Sequence, residues 1–305
     1  MRQKKFLKAW IQAARLPSQS YIFIPLLLGQ AIYFSIHHTI DWISFFIIQT
    51  FGIFNQLYIV FANDYADLEG DRMNQTYTIF SGGSRVLADG KLNPEQIRNA
   101  AILMAIFCFL ISIILSVRVG NPFIIVFAVL AILLLQMYSY PPFKLSYHGG
   151  GEFLQMLGVG MILPIFGFLG QKGDYIDFRF ELLLPLLGIN LACAMATSLP
   201  DKPSDALIGK KTFAVSWGLD YAKWVILLLE VSVCIFFAFS QPDIHFGMDP
   251  FFWILPFLMI SLSLLGIKAM PGEFLLSVFV FFSIAFNLSI QIILIVNYFF
   301  YTIIL

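Results

Sequence analysis

Asn63, Asp67 and Asp71 stand four residues apart at the end of a long apolar run. If the helix of that run continues through them, all three project from one face in successive turns. Such a ladder of oxygen atoms suits a hard cation such as Mg²⁺, which takes one or two carboxylates and leaves its other positions to water and phosphate oxygens. Asp64 lies beside the ladder. A second carboxylate pair at the same separation, Asp201 and Asp205, follows another apolar run about 135 residues later. Pro200 and Pro203 interrupt helical geometry there, so the spacing alone does not place the second pair one turn apart on a regular helix. A solvated acidic helix end beside a membrane would carry the same residues.

Two carboxylate clusters facing one cavity, with cations among them, meet the needs of a diphosphate. Two Mg²⁺ ions bridging the clusters to phosphate oxygens neutralise the charge that grows as a C–O bond breaks. Lys144, Lys210 and Arg85 add positive charge, and Arg85 closes the run Ser81-Gly82-Gly83-Ser84-Arg85, whose glycines let a loop fold over a phosphate or simply turn. A cavity walled by Phe, Leu and Ile accepts a polyisoprenoid tail and offers little to a sugar nucleotide. Breaking an allylic C–O bond leaves a carbocation, which aromatic faces and a tyrosine oxygen suit better than bare carboxylates.

These residues need elements that hold them at one place. Of the 305 residues 59% are hydrophobic and only 12% charged, about half the charge of a soluble domain, so the expected class is an all-α polytopic membrane protein. Net charge is zero, which argues against a nucleic-acid partner. Nine stretches are long and apolar enough to span a bilayer, roughly 18–38, 40–62, 95–117, 122–139, 152–170, 181–199, 221–240, 250–268 and 274–304. Asn93-Pro94-Glu95-Gln96 and Asn121-Pro122 read as helix starts. Residues 1–17 are basic without a cleavage site and read as a cytoplasmic surface segment, helical over 6–14. Nine spans beginning inside place 15 Lys and Arg on the N-terminal side against Arg118, Lys172 and Arg179 on the other, an asymmetry that puts the first side in the cytoplasm. Both acidic motifs, the glycine-rich run, Tyr140-Pro141-Pro142-Phe143-Lys144 and Gly209-Lys210-Lys211-Thr212 fall on that side. The opposite loops hold Asp174, Asp177, Asp243 and Asp249. The expected architecture is therefore a bundle of about nine helices around a central cavity that opens to the cytoplasm. An apolar helix followed by a carboxylate pair occurs after the second and the sixth span, a coarse internal echo.

Cys108, Cys193 and Cys234 lie in apolar runs and read as buried hydrophobes, and His37, His38, His148 and His245 lack metal-ligand spacing. No protein partner is implied.

The ordered set of motifs resembles the UbiA superfamily of intramembrane aromatic prenyltransferases over nearly the whole chain, as one domain of residues 1–305 with nine helices over 18–304. Asn63-Asp64-x-x-Asp67-x-x-x-Asp71 looks like the family's first aspartate-rich motif, Asp201-x-x-x-Asp205 like its second, and Tyr140-x-x-x-Lys144 like the element between them. Within the family, Gly82-Gly83-Ser84-Arg85-Val86-Leu87, 138–145 with Gly151-Glu152, and 209–215 look like the branch that prenylates 1,4-dihydroxy-2-naphthoate on the way to menaquinone. His148 and Thr197-Ser198-Leu199-Pro200 depart from that branch, and the departures bear on the aromatic acceptor. The resemblance implies one Mg²⁺ on Asn63, Asp67 and Asp71 with Asp64 as helper, and a second on Asp201 and Asp205. It implies diphosphate contacts from Lys144, Arg85, Lys210 and Arg15, with Tyr140 steadying the cation. It also implies a bacterial inner-membrane setting, with a prenyl diphosphate and an aromatic acceptor as partners. The acceptor would be dihydroxynaphthoate or, alternatively, a 4-hydroxybenzoate or homogentisate type. A secondary transporter is the rival of another class; it calls for acids at the bilayer centre on broken helices, whereas here they cluster at helix ends.

Overall fold

A computed structural model describes residues 2–239 and 250–304; Asp243, His245 and Asp249 lie outside the described residues. The described chain is helical apart from one isolated bridge, Thr78 to Ser81. In order come α1 (Arg2–Ala13), α2 (Ser20–His37), α3 (Trp42–Ala66), α4 (Leu68–Met73), α5 (Pro94–Val119), α6 (Phe123–Ser139) and α7 (Gly151–Leu157). α7 runs through a wider turn over Gly158–Ile162 into α8 (Leu163–Gly170). Then follow α9 (Leu183–Ser198), α10 (Lys202–Leu207), α11 (Phe213–Trp217), α12 (Leu219–Phe239), α13 (Pro250–Ser263) and α14 (Phe274–Ile304).

Seven helical runs among the described residues are long and apolar enough to cross a membrane, and two shorter apolar helices, Phe123–Ser139 and Trp253–Gly266, bring the total to the nine segments predicted. This is a multi-pass membrane protein. The start signals work as read. Asn93 and Gln96 form a reciprocal capping box at α5, and Asn121 accepts the Phe123 N–H at 3.0 Å ahead of α6. All three cysteines are buried and free.

With lipid on the outside there is no hydrophobic gain in pressing one apolar helix on another, so close backbone packing decides the contacts. α2 and α8 meet through glycines. A Cβ on Gly29 would strike the Pro164 carbonyl, and one on Gly167 would strike the carbonyl of Leu26. Gly167→Val is therefore expected to force the two helices apart at a cost of about 1–3 kcal/mol, seen as a lower unfolding temperature in detergent.

The two ends of the bundle differ in chemistry. At one, Asp41 caps α3 by accepting from Ile43 and Ser44, and Arg118 at the end of α5 donates to both its carboxylate oxygens at 3.0 and 2.9 Å. The other end carries α1, α4, α10 and the loops between them. Lys223, one of the lysines counted for sidedness, is fully buried and donates to the carbonyls of Ile267 and Ala269 at 2.8 and 2.7 Å. It closes the chain after α13 as a cap on carbonyls that the helix leaves unpaired.

Candidate active site at the acidic end of the bundle

The first acidic motif sits where α3 stops. Asp67 leaves helical geometry at φ −95°, ψ 9°, yet its N–H still bonds to the Asn63 carbonyl and the Asp71 N–H to the Asp67 carbonyl, both at 2.9 Å. The ladder of Asn63, Asp67 and Asp71 thus survives with a bend at its middle rung. Asn63 Nδ2 donates to Asp67 Oδ2 at 2.9 Å.

The second motif has the same build. Asp201 caps the six-residue α10 and accepts the Asp205 N–H through its carbonyl at 2.8 Å, so the two acids stand one turn apart in spite of their prolines. Pro203 falls in the first turn of that helix, where its missing N–H costs nothing. α9 followed by α10 repeats the arrangement of α3 followed by α4, and the two short helices touch: a Cβ on Gly70 would press on Ile208 at 2.6 Å.

Lys210 joins the motifs. Its Nζ donates to Asp67 Oδ2 at 2.7 Å and lies 3.9 Å from Asp205 Oδ1, and the residue is 8% exposed. Burial opposes its charge, but Asp67 and Asp205 hold its pKa above the ordinary lysine value. The acids are short of countercharge. Burial, then the charges of Asp64 and Asp67, push the Asp71 carboxyl up to about 7, although Arg15 pulls the other way. Burial also lifts Asp205 to about 7, against the pull of Lys210 and with Asp201, Asp67 and Glu152 adding to the rise. Asp201 is raised by burial too, offset by hydrogen bonds from Asn74, Ser81 and Gly82.

The loop 74–85 crosses from one motif to the other. Asn74 Nδ2 and the Gly82 N–H donate to Asp201 at 2.7 and 3.0 Å, and Thr76 donates to the Pro200 carbonyl at 2.7 Å. Gly82 and Gly83 have φ of 75° and 71°, a region that L side chains avoid, and a Cβ on Gly83 would collide with the Asp71 carboxylate. Arg85 donates to the Asp71 carbonyl, and its guanidinium lies 4.5 Å from the centre of the Tyr77 ring. Ser84 and Arg15 both reach Asp64. The glycine-rich run thus lies against acids of both motifs.

Lys144 points its Nζ at the Tyr147 ring, 3.7 Å from the centroid, and Lys210 lies 5.9 Å from the same ring, so both lysines share this aromatic neighbour. Tyr140 donates its hydroxyl to the Ala62 carbonyl at 2.8 Å. It lines a groove of about 520 Å³ between α3, α5 and α6, together with Tyr58, Tyr65 and Gln136. A larger groove of about 660 Å³ lies between 75–80 and the start of α14, and no aspartate of either motif lines either one. A second tyrosine at the end of α6 also faces charge. The Tyr138 hydroxyl lies within electrostatic reach of Lys210, Asp67, Glu152 and Asp205. Its ring sits over Gly151, where a Cβ would come within 2.8 Å. Tyr138 stands two residues before Tyr140, and that spacing at the end of α6 is the only sequence signal that sets it apart. Asn74, three residues after Asp71, is the other missed member.

Whether a divalent cation fits rests on the donor set. Among the described residues no three His, Cys, Asp or Glu side chains close into a ready-made cage. What is present is hard carboxylate oxygen, crowded enough to hold protons near neutral pH. That suits a cation which takes few protein ligands and completes its shell from phosphate and water.

Known structures share this architecture. A solved structure described as giving insights into digeranylgeranylglyceryl phosphate synthase in membranes is 21% identical, covers 96% of this chain and 98% of its own, and superposes with a TM-score of 0.63. A UbiA homologue from Archaeoglobus fulgidus bound to DMAPP and Mg²⁺ is 14% identical over 93% of this chain and 98% of its own, at a TM-score of 0.67. A homologue from Aeropyrum pernix K1 is 13% identical over 90% and 97%, at 0.66. No curated protein sequence matches the chain significantly. Residues 22–272 match the UbiA prenyltransferase family, a stretch that contains both acidic motifs and everything between them, and the chain belongs to that family.

Proposed function

We propose that the protein transfers a polyprenyl group from an allylic prenyl diphosphate to an aromatic acceptor, with Mg²⁺ as cofactor, and that the acceptor is 1,4-dihydroxy-2-naphthoate. The observation that carries the reading is Lys210, which stands 2.7 Å from an acid of the first motif and 3.9 Å from an acid of the second. One ligand can therefore touch both. The homologue that binds DMAPP and Mg²⁺ supports the same leaving group, and the sequence features of the dihydroxynaphthoate branch support the acceptor. On the same reading the acidic end faces the cytoplasm of a bacterial inner membrane.

Bound Mg²⁺ supplies charge neutralisation at the diphosphate as the C–O bond breaks. The chain's own residues do the rest. Asn63, Asp67, Asp71, Asp201 and Asp205 present oxygen atoms from two sides. Lys210, Arg85 and Lys144 place fixed positive charge around the leaving group, where it does not reorganise during the reaction. Tyr147 offers an aromatic face beside Lys144 and Lys210, a fitting neighbour for an allylic cation, and Tyr140 holds the end of α6 to α3 through Ala62. The electron-rich ring carbon of the acceptor attacks that cation, then loses a proton or carbon dioxide.

Offering dihydroxynaphthoate, 4-hydroxybenzoate and homogentisate side by side with a prenyl diphosphate and Mg²⁺, and weighing the products by mass spectrometry, tests the reading. A prenylated naphthoquinol is the expected product. Alkylation of the benzenoid acids alone would move the acceptor assignment, and absence of diphosphate release with any acceptor would end the transferase reading.

A further inference from the structure

Asp64 and Arg15 pair with each other beside the loop that crosses the two motifs. Asp64 is 2% exposed, and both its oxygens are engaged: Oδ1 accepts from Arg15 and, at 3.1 Å, from the Ser84 N–H, while Oδ2 accepts the Ser84 hydroxyl. The same serine is held from the other side, for Gln12 of α1 donates Nε2 to its carbonyl at 2.7 Å, and Lys91 Nζ donates to Gln12 Oε1 at 3.0 Å. Ser84 is flanked by residues that touch the two motifs. Two positions before it, the Gly82 N–H reaches Asp201; one position after it, Arg85 reaches the Asp71 carbonyl. Gly82, Gly83 and Arg85 all have positive φ, 75°, 71° and 67°. A non-glycine residue in that region stays there only when its surroundings over-determine it.

We propose that Asp64 and Arg15 are positioning residues, a clamp between the N-terminal helix and the end of α3 that seats Ser84 and thereby fixes the loop 81–85 across both acidic motifs. A carboxylate that accepts from three donors has little left for a cation, whereas a loop that carries Arg85 needs an anchor that is rigid and out of the ligand's way. The proposal rests on the diphosphate reading of the neighbouring acids for its kinetic consequence but not for its structural one. The clamp explains why Arg15 sits just beyond α1 with φ 43°: the chain turns there to bring the guanidinium back onto Asp64.

The test uses the full-length protein in nanodiscs with Asp64→Asn, Ser84→Ala and the double variant. Hydrogen exchange of the backbone over 81–88, without Mg²⁺ or substrate, is expected to speed up about tenfold in either single variant, the equivalent of one lost charge-assisted hydrogen bond. The double variant is expected to be no faster than the quicker single one, since both cut the same link. In turnover assays KM for the prenyl diphosphate rises about tenfold, while the Mg²⁺ concentration giving half-maximal rate stays within about twofold. Unchanged exchange over 81–88 in Ser84→Ala would overturn the clamp whether or not the protein turns over any acceptor. A tenfold shift in Mg²⁺ requirement for Asp64→Asn with normal loop exchange would restore Asp64 to the metal.

Discussion

Asp67→Asn is expected to lower prenyl transfer by about 10²–10³-fold, the loss typical of removing one group that stabilises charge in a transition state. Asp67 is the acid of the first motif that Lys210 ties to the second. It takes Lys210 Nζ at 2.7 Å and Asn63 Nδ2 at 2.9 Å, and through Lys210 it faces Asp205. The amide keeps the size of the side chain and a hydrogen-bond acceptor for Lys210, but surrenders the negative charge that a divalent cation needs. Alanine is the worse choice of variant. It leaves a buried ammonium with Asp205 as its remaining acid at 3.9 Å, and breaking a buried pair in this way costs about 3–5 kcal/mol, so lost activity would be confounded with lost fold. Asp201→Asn is expected to act similarly while also depriving one of Asn74 and Gly82, which hold the crossing loop, of its acceptor. Diphosphate release measured over a Mg²⁺ series, with melting temperature as the control for folding, separates the cases. Release at the wild-type rate in the Asp67→Asn, Asp201→Asn double variant would dismiss both acids from the reaction.

The nine apolar segments were legible because a bilayer imposes a length rule on every span, and that rule does not depend on partners distant in sequence. The caps at α5 and α6 were legible for the same reason, being local. Asp67 and Asp205 stood out by type and spacing, but their meeting through Lys210 did not: 143 residues separate Lys210 from Asp67, and a lysine in a loop between spans fits a charge rule whatever it touches. Asp64 sits inside the motif and so reads as a ligand, while its hydrogen-bond partners in the fold, Arg15 and Ser84, lie 49 and 20 residues away, where spacing does not reach. Periodicity could not settle the geometry at Asp201 either, because two prolines argue against a helix until the start of α10 is seen to fall between them. Tyr138 and Tyr140 lie two apart, and near a helix end two apart means opposite sides. Which of the two faces the acids depends on where α6 stops, and helix ends are the least local part of a helix.

The affinity for Mg²⁺ is expected to climb steeply with pH and to level off above about pH 8. Asp71 and Asp205 are both lifted to about 7, chiefly by burial, from an ordinary aspartate value near ~3.9. The sign follows from that direction. A carboxyl whose folded pKa is raised binds its proton more tightly folded than unfolded, so its contribution to stability is fully present below about pH 4 and is lost as pH rises through about 7. Without a cation, the protein should therefore become less stable between about pH 5 and pH 8. A divalent cation binds the ionised carboxylates and must displace whatever protons remain. Below about pH 7 each displaced proton makes binding about tenfold tighter per pH unit, and with one such acid in each motif the overall constant for filling both rises up to about a hundredfold. Thermal unfolding in nanodiscs with and without Mg²⁺, at half-unit steps from pH 5.5 to 8.5, reads both arms, and the stabilisation by Mg²⁺ should grow where the stability of the free protein falls. Asp71→Asn removes one of the two titrating acids, so the slope of log affinity against pH should drop toward one. A wild-type affinity that does not change with pH would mean that neither acid faces the cation, and the two carboxylate sets would then have met for a reason other than holding a metal.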